Sequence, residues 1–336
     1  MRRGSTPVSE VLLEFGIGET RAAVLDDDGG IVEAYVERDG GWRAGDVREV
    51  RLMTILVPGV RGIVAVDGTE AILEPLPRTL TEGVSLRVAV VREALAEAGR
   101  TRLAKTVVTA DAIKAGPNLV ERLRARGLSL RPLAAHQPDA LEAAGWSEVT
   151  EAAALGFVPF TGGLLTISPT PAMTVIDVDG MLPPAALALA AADAAAAAIR
   201  RFDITGSIGI DFPTVADKAV RTAIGARLDA ALPPPFERTG VNGFGFAQII
   251  RPRLQASLIE TIRADPAATA ALRLLRHAER GGTTGDRHLV AAPLVIAWFA
   301  ARPALVIELE RRLGAAVALH TEPGLAMGAA YVAARP

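Results

Sequence analysis

The chain has 336 residues and a formal net charge of −2, with 36 Lys and Arg against 38 Asp and Glu. That length calls for two or three packed units, and so even a balance is not that of a bulk nucleic-acid binder, leaving room only for a local basic groove. Cysteine is absent, which excludes disulfides, thiolate metal sites and thiol catalysis and fits a reducing compartment.

In chain order, Met1-Arg2-Arg3-Gly4 is basic, but Glu10 and Glu14 arrive before any long apolar core. No secretory signal is predicted, and a cytoplasmic protein is expected. Val11 to Gly18, Arg21 to Leu25 and Ile31 to Val36 read as three strands of an antiparallel meander, separated by Gly18-Glu19 and by Asp26 to Gly30. The run Leu13-Glu14-Phe15-Gly16-Ile17-Gly18-Glu19-Thr20 partly resembles the phosphate hairpin of sugar-kinase and actin-like ATPases, with Glu14 where those proteins usually carry Asp. Together with Gly328-Ala329-Ala330 it supports an ATPase as the last-ranked reading, because no second phosphate loop is evident.

From Gly45 the pattern predicts five short strands: Val47 to Leu56, Gly62 to Val66, Ala71 to Glu74, Ser85 to Arg92 and Leu103 to Val108. Five strands in that length suit an inserted OB-type barrel, a platform for single-stranded nucleic acid. Arg43 to Val108 contains no Phe, Tyr or Trp, so RNA contact there would rest on cations, among them Arg61 and Lys105. Pro117 to Gly127 predicts a basic helix, and Ser129 to Leu155 a connector carrying a short helix. His136, His277, His288 and His320 have no metal-ligand spacing, so zinc is not expected.

Gly163 to Ser168 predicts a strand that pairs as a hairpin with Met173 to Asp177, an apolar strand ending in Asp177-Val178-Asp179. The Ala-rich helix Pro183 to Phe202 follows, with prolines in its first turn, and then Ser207 to Asp211, a second strand ending in a carboxylate. A crossover helix joins neighbouring parallel strands, so Asp177 and Asp211 are expected at the same sheet edge. Side chains alternate, so Asp179 points the same way as Asp177. Converging carboxylates repel, and a hard cation such as Mg²⁺ relieves this. Beyond Pro233-Pro234-Pro235, a glycine turn at Gly243 to Gly245 leads to Arg251-Pro252-Arg253, two guanidinium forks suited to a phosphate. Residues 257 to 336 read as helices and short strands for scaffolding or self-association. The Ala185 to Ala198 run is too short for a membrane span and carries Asp193.

This order of parts resembles the catalytic half of the ribonuclease E/G family, most specifically from Gly163 to Arg253: a strand ending Thr174-Val175-Ile176-Asp177, an Ala-rich helix, Ile210-Asp211-Phe212, and a Phe244-Gly245 turn before Arg251-Pro252-Arg253. The resemblance implies an α/β protein with an RNase H-like mixed sheet and an inserted OB-type RNA-binding barrel. Its parts would be N-terminal hairpin strands at 10–42, the barrel at 43–108, a shortened connector at 109–162, and the catalytic core with a C-terminal α/β segment at 163–336. It implies Mg²⁺-dependent endonucleolytic cleavage of single-stranded RNA, with Asp177 and Asp211 as metal ligands. Asp179 stands where the family usually has asparagine, to adjust metal or water. Arg251, Arg253, Arg61 and Lys105 are the expected RNA contacts. The family's linking cysteines are absent and its 5′-monophosphate-sensing region is shortened, so no zinc-linked tetramer, no end-sensing and at most a homodimer are expected. The alternative is a non-catalytic RNA-binding or assembly protein that keeps the family fold.

Overall fold

A computed structural model describes residues 10–97, 100–281 and 285–334. The basic start at Met1 to Gly4 and the centre of the Gly281 to Gly285 loop lie outside the described residues. The chain first forms β1 (Glu10–Phe15), β2 (Glu19–Leu25) and β3 (Ile31–Arg38). Next come β4 (Val47–Val57), β5 (Arg61–Val66), β6 (Thr69–Leu73), β7 (Ser85–Arg92), β8 (Leu95–Glu97), β9 (Arg100–Arg102) and β10 (Ala104–Val108). The middle holds α1 (Leu119–Ala125), β11 (Ser129–Leu133), α2 (Ala140–Ala143), α3 (Trp146–Leu155), β12 (Phe157–Phe160), β13 (Gly163–Pro169) and β14 (Thr174–Gly180). It continues with α4 (Pro184–Arg201), β15 (Gly206–Asp211), α5 (Lys218–Ala231), β16 (Glu237–Arg238) and β17 (Phe246–Arg251). The last elements are α6 (Leu258–Ala264), α7 (Pro266–Arg280), β18 (Arg287–Ala291), α8 (Pro293–Ala300), α9 (Pro303–Leu313), β19 (Val317–Thr321), a 3₁₀ turn at Met327–Ala329 and β20 (Tyr331–Ala334). Among the described residues no helix is long and apolar enough to cross a membrane.

These elements form two compact units. One comprises the described residues within Met1–Asp39, Leu128–Ser147 and Ile262–Pro336. Its β1, β2 and β3 make the expected antiparallel meander, and β11 adds parallel to β1, giving the order β11-β1-β2-β3. The stretch from Ser129, expected as a connector with one short helix, therefore supplies a sheet strand and α2 as well as α3. The amphipathic α7 buries Ala271, Leu274, Leu275 and Ala278 against Leu289, Val295, Phe299 and Leu309.

The hairpin that partly resembles a phosphate loop has its carboxylates committed internally. Glu14 and Glu19 are buried, and a buried charge must be paired. Glu14 accepts from Arg21 and, at 2.6 Å, from Nε of Arg280; Glu19 accepts from Arg276. Arg21 also donates to Asp139 at 3.0 Å, and its guanidinium lies 5.2 Å from the centre of the Trp146 ring. Burial pushes the Arg276 guanidinium below its ordinary value, with Glu19 and Glu14 opposing that shift.

The second unit comprises Gly40–Gly127 and Glu148–Thr261 in their described parts. Here β10, β6, β5, β4 and β7 close into a five-stranded barrel in that order, with β10 parallel to β6 and the other pairs antiparallel. Alternation along β4 sends Val50 and Leu52 inward to meet Val64, Leu73, Val88 and Val90. The aromatic just before this segment, Trp42, is buried in the same cluster rather than presented on the surface. The same unit holds a six-stranded mixed sheet in the order β12-β13-β14-β15-β17-β16.

Candidate functional site: a row of side chains across the six-stranded sheet

The central pair of that sheet is the parallel couple β14 and β15, joined by α4. Alanine suits α4 twice over, as the strongest helix former and as a side chain small enough for close packing. Its buried face of Leu187, Ala188, Ala191, Ala192, Ala195 and Ile199 covers one side of the sheet. On that side Leu165, Ile167, Ile176, Val178, Ile208, Ile210, Ala247 and Ile249 are buried. Alternation puts the intervening residues on the opposite side, which is open.

The register fixes what meets on the open side. Asp177 pairs directly with Asp211 across β14 and β15. On either flank Asp177 pairs with Thr166, Thr166 with Phe157, and Asp211 with Phe246. Register partners share a face, so Phe157, Thr166, Asp177, Asp211 and Phe246 form one row perpendicular to the strands, stepping about 4.8 Å per strand. Asp179 stands two residues further along β14, on the same face and paired with Leu164, about 7 Å from Asp177 along the strand. All three aspartates are exposed, and none makes an ion pair among the described residues.

Glycine shapes the surroundings at specific points. Gly245 has φ +95°, and a Cβ there would stand 2.1 Å from the Phe212 carbonyl oxygen. Asn242 pins the same turn, its Oδ1 accepting from the N–H groups of Phe244 at 2.9 Å and Phe246 at 3.0 Å. The turn thereby seats Phe246 opposite Asp211. A Cβ on Gly209 would come within 2.7 Å of the Phe246 ring and 3.0 Å of the Met173 sulfur, so the ring lies over the bare backbone of Gly209, two residues back along β15 from Asp211. Asp179 itself helps to line a shallow hollow, together with Gly162, Gly163, Leu164, Gly180 and Met181.

Two expected RNA contacts stand elsewhere. Arg251 pairs with Gly206, at the far end of β15 from Asp211, about 17 Å away along the strand. It alternates with the open-face residue Ile250, so its side chain falls on the covered side, where it donates to the Ile204 carbonyl at 2.8 Å. Arg253 is paired with Glu260. A phosphate clamp beside the aspartates is therefore not formed by these two residues, because strand parity and local acceptors have claimed them. On the barrel, Arg61 and Lys105 do converge, with Glu74 between them at 3.2 and 3.6 Å. The Arg61 hydrogen bond holds the Glu74 carboxyl below its usual range, with Lys105 adding to it.

The donors present suit a hard cation. Mg²⁺ is typically held by one or two carboxylates and keeps several waters, and Asp177 with Asp211 offers two oxygen donors in register on an open face. Asp179 does not complete a third side: among the described residues no three His, Cys, Asp or Glu side chains gather as a metal site. Phe157 and Phe246 were not anticipated from sequence; the signal for them is the pairing register, which local pattern does not carry. No protein-family model matches the chain, and no curated protein matches it significantly, so a class of protein is argued from the residues and their geometry.

Proposed function

We propose that the chain is a Mg²⁺-dependent endoribonuclease of the ribonuclease E/G type, acting on single-stranded RNA in the cytoplasm without sensing a 5′-monophosphate, as a monomer or at most a homodimer. The observation that carries this reading is the in-register pair Asp177 and Asp211 on an open sheet face. Carboxylates that lack cationic partners repel one another, and a divalent ion removes that repulsion. Bound between them, Mg²⁺ would polarise a phosphoryl oxygen and make a water more acidic at neutral pH.

In the reaction, a water oxygen forms a bond to phosphorus and the bond from phosphorus to the leaving sugar oxygen breaks. The water's proton passes to solvent and the leaving oxygen takes one up. Asp177 and Asp211 would hold the cation, and Asp179 would bias water on the same side. Thr166, next to Asp177 in the row, offers a hydroxyl to a phosphate oxygen. The barrel supports the reading as an OB-type module: its five strands close in the order β10-β6-β5-β4-β7 with one parallel pair, and Arg61 and Lys105 lie together on it.

The second reading is an RNA-binding or assembly protein without catalysis. It is favoured by the absence of Lys and Arg from the open-face positions of the row and by the burial of Trp42. The deciding experiment incubates 5′-labelled single-stranded RNA and Mg²⁺ with the protein and with Asp177→Asn and Asp211→Asn. Internal cuts that need metal and vanish in both variants support the nuclease. RNA retention with no cutting at any metal concentration replaces it with the binder.

A further inference from the structure

The barrel of this chain has no surface aromatic from Arg43 to Val108, yet single-stranded nucleic acid is ordinarily held by stacking of its bases on aromatic rings. The row across the six-stranded sheet carries a ring at each end. Phe246 adjoins Asp211, and Phe157 lies two strands beyond Asp177 on the other flank. Four strand steps separate the two rings, about 19 Å, a distance that a few nucleotides of single strand can bridge. Both rings share the face of the aspartates, which α4 leaves uncovered.

Phe246 is half-buried, its ring packed over Gly209 beside the Met173 sulfur, and Phe157 is the more exposed of the two. Phe157 is 48% exposed on the edge strand β12, so its ring is open to a ligand. Phe246 lies over Gly209, where any other residue would lift it off the sheet. A flat ring over bare backbone is a platform for a second flat ring. Thr166 fills the one position between Phe157 and Asp177, small and polar where a bulky residue would block a strand crossing the row.

We propose that Phe246 and Phe157 are base-stacking subsites of a single-stranded RNA track that crosses the sheet at right angles to its strands, with the phosphate to be cut over Asp177 and Asp211. Phe246 takes a base immediately beside that phosphate, and Phe157 takes one further along on the opposite side. This rests on the ribonuclease reading and relocates base recognition from the barrel to the catalytic sheet. Stacking of this kind tolerates any base, so the track selects unpaired strand rather than sequence.

The test is steady-state cleavage of labelled single-stranded RNA, ten nucleotides long and three nucleotides long, by the protein and its Phe157→Ala, Phe246→Ala and Phe246→Leu variants. Phe246→Leu keeps an apolar cover over Gly209, so it separates stacking from folding. Phe157→Ala is expected to raise KM about tenfold on the long RNA and to leave the short one unchanged, with kcat preserved. Both Phe246 variants raise KM about tenfold on either length. An abasic nucleotide placed at the responding position should abolish the difference between protein and variant. As a readout apart from cleavage, a Phe246→Trp protein in EDTA should show fluorescence quenching on adding the same RNA. The proposal is overturned by Asp177-dependent cutting with KM unchanged in all three variants, by equal effects of Phe157→Ala on both lengths, or by a penalty that persists with the abasic RNA. If the unaltered protein neither cuts nor binds RNA, it is the ribonuclease reading that has failed, and this proposal with it.

Discussion

Glu14 and Glu19 lie buried beside the guanidinium groups of Arg21, Arg276 and Arg280, whereas Asp177, Asp179 and Asp211 stand on an open sheet face with no ion pair among the described residues. In the first unit charge is matched locally, and the carboxylates serve as internal ties between β1, β2 and α7. In the second, two exposed carboxylates are brought into register with no ion pair among the described residues, and the proposed reading has a cation neutralise them. Burial with matched partners marks a structural cluster; convergence without partners is the feature on which the proposed cation site rests.

The sharpest way to break that contrast is to neutralise one member on each side. Asp177→Asn or Asp211→Asn should lower Mg²⁺-dependent RNA cleavage by more than about a hundredfold, beyond what changes around a metal's ligands usually cost. Thermal melting of both proteins should match or slightly exceed that of the parent, since a repulsion has been removed. A fall in melting temperature with cleavage intact would make these aspartates structural.

Arg276→Ala should behave in the opposite way. It removes the hydrogen-bonded partner of buried Glu19, leaving only Arg38 at 4.0 Å, and part of the Glu14 pairing, and breaking a buried pair costs about 3–5 kcal/mol. Urea unfolding monitored by Trp146, which packs beneath Arg21, measures this. A loss below about 1 kcal/mol would mean that the cluster is solvated and not a tie.

Acid should expose the same cluster. Burial raises the Asp139 carboxyl, but Arg21, the Glu142 N–H and Arg280 together outweigh it and hold the group below its ordinary value of 3.8. A carboxyl depressed on folding contributes stability that is present above its unfolded value and lost as pH falls through the lower folded one. Stability should therefore decline below about pH 4, and Asp139→Asn should flatten that acid limb. An unchanged slope in the variant would remove Asp139 from the network.

The smallest expected effect concerns Arg253. Because it is spent on Glu260, Arg253→Ala should leave KM for RNA unchanged and cost about 1 kcal/mol of stability. A rise in KM with no loss of stability would restore it as an RNA contact.

Much of the second unit was legible because its signals are local. The strand, Ala-rich helix and strand that carry Asp177 and Asp211 sit within one βαβ stretch, where a crossover rule converts sequence order into spatial adjacency. The five barrel strands were likewise set off by Pro58-Gly59, Asp67-Gly68 and Glu82-Gly83 turns. What escaped was non-local. Arg251 looked free because the arginine spacing was visible, while the antiparallel register that puts it opposite Gly206 and on the covered side was not. Nothing in Glu14 or Glu19 announces that α7, more than 250 residues later, returns Arg276 and Arg280 to them. Phe157 escaped for the same reason: β12 is a four-residue edge strand whose meaning comes entirely from its pairing with β13.

The claim that Asp177 and Asp211 jointly hold a divalent ion is tested most directly with Mn²⁺, a carboxylate-seeking substitute for Mg²⁺ whose free form is counted by electron paramagnetic resonance. Titration of the protein and of Asp177→Asn and Asp211→Asn should reveal one site that either substitution removes and that Mg²⁺ competes away. Equal Mn²⁺ uptake by all three proteins, or none by the unaltered one, would contradict it.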